Sequence, residues 1–208
     1  MSGNETNPSV VEFALRYTTD QSEAIRFAWN GKHAAEFQDE NQEFRWSLAQ
    51  LIISEPDLVP IVLIRDILLE DATWSHEAWC APHHFAGLLS ILLQRGGREY
   101  LGDFAAAMNA TFDTFGAAHE VVIPQQQAHE LLQEAELHLL IETDVRRRSE
   151  LESARELFRK LIEGNATQGW ATVPPGTPVR NIRVLGSALA TRHTFRSRLM
   201  GLFRRRGK

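Results

Sequence analysis

Residues 83–116 read HHFAGLLSILLQRGGREYLGDFAAAMNATFDTFG. In the first part, Phe85, Leu88, Leu89, Leu92 and Leu93 recur at helical spacing. In the second, Leu101, Phe104, Met108, Phe112 and Phe115 follow at steps of 3, 4, 4 and 3. Residues so spaced share one face of a helix, so each stretch predicts an amphipathic helix, over 83–95 and 98–116. Gly96-Gly97 between them ends the first helix and leaves only a short link. Two helices so joined pack antiparallel as a hairpin.

Working upstream, Phe44, Leu48, Leu51 and Ile52 form a stripe over 40–54. Pro56 then opens a segment, 57–70, that is apolar almost all round and reads as the most buried helix. Residues 9–18 and 21–36 also read as helices, the second interrupted by Asn30-Gly31. Downstream, Leu131, Leu132, Ala135, Leu139 and Leu140 mark a helix over 126–142. Leu151, Ala154, Phe158 and Leu161 mark another over 149–163, with Ser149–Glu152 matching a capping box and a break near 143–149. Val121-Val122-Ile123 is the best candidate for extended chain.

The fold class is therefore all-α, built of antiparallel helix hairpins. Their first members start near residues 40, 83 and 126, about 43 residues apart, within the period of HEAT and armadillo repeats. The spacing fits either a short HEAT-like α-solenoid or an irregular helical bundle, and no repeat signature in the residues selects between them.

Charge divides the chain more sharply than its net value of −5. Residues 1–164 hold all 27 acids against 13 Lys and Arg, a net of −14. Residues 165–208 hold nine basic residues and no acid. Three domains of composition follow: an acidic helical domain over 1–164, a Pro/Gly linker over 165–179, and a basic amphipathic tail over 180–208. In the tail, Leu185, Leu189, Phe195, Leu199, Leu202 and Phe203 roughly follow helical spacing. Arg180, Arg183, Arg192, Arg196, Arg198, Arg204, Arg205 and Arg206 supply the charge and are its candidate partner-binding residues. Their expected counterpart is an acidic surface, of this body or of a partner protein. An anionic membrane surface or nucleic acid is open to the tail only, because a body at −14 repels phosphate.

The densest set of reactive side chains is Trp74–His84. Zinc takes imidazole and thiolate ligands, so His76, Cys80, His83 and His84 are candidate metal ligands. Pro82 breaks the helix that would align them, and the His-Glu pair lacks the second histidine of a zinc-protease helix. The competing expectation is a connection pinned by Trp74 and Trp79, with Cys80 as a small buried apolar residue. His129, Glu130, Glu134 and His138 read as the solvated side of their helix, and Asp113 as a rim residue. The acids at Asp39, Glu40 and Glu43, at Glu70, Asp71 and Glu77, and along Glu130–Asp144 offer negative surface. No phosphate-binding glycine pattern and no nucleophile with an orienting base is found, so no catalytic residue and no cofactor is assigned. A lone cysteine and an N-terminus without an apolar core predict a cytoplasmic protein. The function expected is that of a non-enzymatic helical protein–protein interaction module: an adaptor, a regulator, or an inhibitor of the immunity type. The alternative is a metal-binding protein or metal-dependent enzyme centred on 76–84.

Overall fold

The structure is a computed structural model and describes residues 8–163 and 171–173. It is all-α. The helices are α1 (Pro8–Arg16), α2 (Gln42–Ser54), α3 (Ile61–Ala78), α4 (Phe85–Gly96), α5 (Leu101–Met108), α6 (Phe112–Ala118), α7 (Gln125–Ile141) and α8 (Val145–Ile162). Two three-residue strands, β1 (Val122–Pro124) and β2 (Ala171–Val173), pair in parallel, with Val173 opposite Pro124. Three residues of the expected linker thus lie against the body.

Each departure from the expected boundaries has a local cause. The helix expected from 57 begins at Ile61, because Pro60 before it stands in extended backbone, with φ −60° and ψ 138°, and supplies no amide of its own. It continues past 70 to Ala78, where Trp79 takes a left-handed conformation with φ 57°. The apolar stripe stops at Leu69 while the buried face goes on through Asp71, Trp74 and Ser75. The expected 98–116 helix divides in two. Thr111 caps α6: its hydroxyl accepts from the Thr114 amide at 3.0 Å, and the Thr114 hydroxyl accepts from the Thr111 amide at 2.8 Å. Capping groups that satisfy free amides start a new helix there, and Phe112, expected in the core, is turned outward and 88% exposed.

Residues 21–36 are not a helix but two short 3₁₀ turns, Thr19–Ala24 and Ala34–Glu36, flanking a loop. The Asn30 side chain organises that loop, accepting from the Lys32 and Gln38 amides and donating to the Glu36 carbonyl. The final helix begins at Val145, not 149, because Asp144 rather than Ser149 caps it, accepting from the Arg147 amide at 2.8 Å.

One contiguous core runs from Val10 to Leu161. α7 and α8 form a hairpin, while α3 packs chiefly on α4 and α5 on α8, across the expected pairs. Phe104 and Phe158, stacked with ring centres 5.6 Å apart, join α5 to α8. The link between α4 and α5 requires glycine twice. Gly97 has φ 55°, and a Cβ on Gly96 would fall 2.7 Å from the Ile61 side chain.

Candidate interaction surface

The reactive segment comes first. His76, in the last turn of α3, is exposed, with Nδ1 3.2 Å from Glu77 Oε1. Cys80 is exposed in the following turn, contrary to the expected buried position, because the left-handed turn at Trp79 carries the chain off the core. Partial burial, and then the Asp113 carboxylate, push its thiol above the ordinary range, which disfavours the nucleophilic thiolate. Trp79, expected to pin the connection, is 82% exposed, while Trp74 is buried and its indole NH donates to Gln42 Oε1. His83 is exposed and stands edge-on to Trp46. His84 is buried, with Nε2 2.6 Å from Asp71 Oδ2. Among the described residues, no three His, Cys, Asp or Glu side chains are grouped to hold a metal ion.

What His84 joins is a buried ionic hub. The Arg45 guanidinium donates through Nε to Asp71 Oδ1 at 2.7 Å, through Nη2 to Asp39 Oδ2 at 2.6 Å, and through Nη1 to the Ile25 carbonyl at 3.2 Å. Asp39 Oδ1 accepts from the Ala28 and Asn41 amides. Asp39 and Asp71, read from sequence as acidic surface, are therefore interior groups. A buried carboxylate needs such partners, and Arg45 supplies them from α2 to α3 and to the loop before α2. Glu70 serves that loop too, accepting from the Phe27 amide at 2.7 Å. The hub's role is to hold the 25–41 loop and the start of α4 on the core.

The exposed features lie elsewhere. At the far end of the α7–α8 hairpin, Leu140 is 81%, Ile141 79% and Val145 83% exposed, and Leu137 is exposed one turn earlier. Helical spacing puts 137, 140 and 141 on one side of α7, while Leu139 turns inward to the core. Arg148 holds the turn, donating through Nη1 to the Leu139 carbonyl at 2.9 Å. A single exposed leucine is ordinary, but four neighbouring apolar side chains make a patch of the kind that marks a contact surface. Each would gain about 1.5–3 kcal/mol on full burial.

A cleft of about 580 Å³ leads to this tip, running between residues 94–99 and the α7 face that carries Gln127, Glu130, Glu134 and Leu137. Glu134 is paired with His138 at 3.2 Å, so this side of α7 is only partly solvated as expected. From Gln125 to Asp144 the chain carries five acids and no Lys or Arg. The arginines expected to bind a partner, from Arg180 to Arg206, lie outside the described residues.

The molecule is thus an all-α protein with an interior ionic hub, an apolar hairpin tip and, beside it, a cleft lined by Glu99, Glu130 and Glu134 as well as by Arg95 and Arg98. No family model, no curated protein and no solved structure matches the chain. No helix among the described residues is long and apolar enough to cross a membrane. The tip was missed in the sequence because Leu139 and Leu140 read as one stripe. The signal available was the surplus of apolar residues over 137–145, more than one helical face can bury.

Proposed function

We propose that this chain is a non-enzymatic helical protein–protein interaction module, an adaptor, regulator or inhibitor of another protein, whose contact surface is the α7–α8 tip. One observation carries the reading: Leu137, Leu140, Ile141 and Val145 stand together in solvent at the end of a well-packed hairpin. Covering such a patch is a main source of affinity in protein association. The charge around it is mixed, with Glu142 and Asp144 before Val145 and the exposed Arg146, Arg147 and Arg148 after it, which suits a partner whose rim carries both signs. The basic segment 180–208 is a second, charge-sensitive contact element of the same protein. The polar groups that the sequence offered for chemistry do not compete with this reading, because Asp39, Asp71 and His84 are occupied in the hub.

The test is photocrosslinking in the native cell. The full chain carries a diazirine side chain in place of Leu140, or of exposed Gln50 on α2 as the control. A discrete protein adduct at position 140 and none at 50 is expected. No adduct at 140, or the same adducts at both positions, contradicts the assignment of the tip.

A further inference from the structure

The geometry points to an occupant for the cleft within the chain itself: residues 180–208 dock in cis along the acid-lined face of α7 and onto its apolar tip, where an external partner must displace them. This rests on the reading of the tip as a contact surface and adds its regulation.

The first support is where the described chain ends. β2 runs parallel to β1, and Val173 is paired with Pro124, the residue immediately before α7. The chain beyond 173 is therefore delivered to the N-terminal end of α7. Gln94, at that end of the cleft, donates to the Val122 carbonyl at 2.7 Å, so the cleft opens beside the strand pair.

Reach is the second. α7 has 17 residues and is about 25 Å long. Eleven residues lie between Val173 and Leu185, the first apolar residue of the tail's stripe, and the twelve steps span up to about 40 Å. The tail's stripe can therefore start anywhere along α7, the tip included.

The third is chemical complementarity. Residues 125–144 present Glu130, Glu134, Glu136, Glu142 and Asp144 without a Lys or Arg, whereas residues 180–208 hold eight Arg, one Lys and no acid. The tail also carries Leu189, Phe195, Leu199, Leu202 and Phe203, the side chains that an apolar tip takes. The opposite wall carries Arg95, Arg98 and Glu99, and at the tip Arg146 and Arg148 of α8 are paired with Glu150 and Glu152. Arg95 spends Nη1 on the Pro56 and Val59 carbonyls, and Arg98 stands beside Glu99 on that wall. Tethering so close gives an effective concentration of about millimolar, which favours this docking over the same contact between separate copies.

The test uses the full chain carrying Cys80→Ser and Ser197→Cys, with a nitroxide on the new thiol, and reads paramagnetic broadening of backbone amides. At about 0.02 M salt, amides facing the cleft and tip over 127–141 lose at least about twofold more intensity than those of α1 and α2. At about 0.5 M salt the difference disappears. Glu130→Gln with Glu134→Gln weakens it at low salt. Broadening confined to another face, or none that salt removes, overturns the proposal. So does equal broadening in a mixture of isotope-labelled, spin-free chains with spin-labelled, isotope-free ones, because the contact then lies between copies. The readout comes from the chain alone, so its failure leaves the photocrosslink at position 140 standing, and the converse also holds.

Discussion

Arg45 sits at 0% exposure among Leu48, Ala49 and Ile52 on the inner face of α2, and its guanidinium is paired there with both Asp39 and Asp71. Arg45→Met would leave two buried carboxylates without their cation, Asp71 keeping only His84 and Asp39 only the Ala28 and Asn41 amides. Breaking a buried pair from one side costs about 3–5 kcal/mol, a large part of the 5–15 kcal/mol that holds a domain folded. Urea unfolding should show a loss of that size. Removing exposed Arg16, paired with Glu12, should change stability by less than about 1 kcal/mol. Tyr17 gives a prediction in pH. It is buried and donates to Asp66 Oδ2 at 2.7 Å; burial first, then that hydrogen bond, push its phenol above the ordinary value. The folded state thus holds this proton longer than the unfolded chain. Its contribution is complete below about pH 10 and is lost as pH rises from there toward the folded value. Tyr17→Phe should cost about 1–2 kcal/mol near neutrality and flatten the alkaline decline, measured by urea midpoints at about pH 8 and pH 10.5. None of this was legible in the sequence. Asp39 and Asp71 read as acidic surface and nothing singled out Arg45, because only the fold brings 39, 45, 71 and 84 together.

At the scale of elements, hydrophobic spacing located helices well and their ends poorly. The stripes over 83–95 and 126–142 correspond to α4 and α7 within two residues at each end. Spacing failed where a polar side chain decides the boundary. Thr111 with Thr114 split the helix expected over 98–116, and Asp144 displaced Ser149 as a cap. The segment 21–36 lacked strong periodicity, and Asn30 hydrogen bonds took the place of a helix. The end of α3 carries a prediction. Trp79 holds φ 57° with its side chain almost wholly in solvent, at a position where glycine is the usual occupant. Trp79→Gly gives up little burial and relieves left-handed strain of about 1–2 kcal/mol, offset in part by the added freedom of the unfolded chain. Stability should rise by about 0.5–1 kcal/mol in urea unfolding. A loss above 1 kcal/mol would mean the indole is more deeply packed than its exposure indicates.

For the whole molecule, the fold class and the separation of charge were both readable from composition and spacing. The exposed apolar tip was not, because exposure depends on which face of α7 meets α8. The hub and the tip stand in contrast: one buries charge at the joint of α2, α3 and α4, and the other leaves apolar side chains in water at the end of α7. The central claim is that this second feature is the binding surface. It is tested most directly by affinity capture from native lysate with the full chain and with its Leu140→Ser, Ile141→Ser form, after thermal unfolding has shown equal stability within about 0.5 kcal/mol. Each lost contact is worth about 1.5–3 kcal/mol when buried, so the variant should retain its fold and recover at least about tenfold less of the partner. Equal recovery of the same partner by both forms would contradict the account.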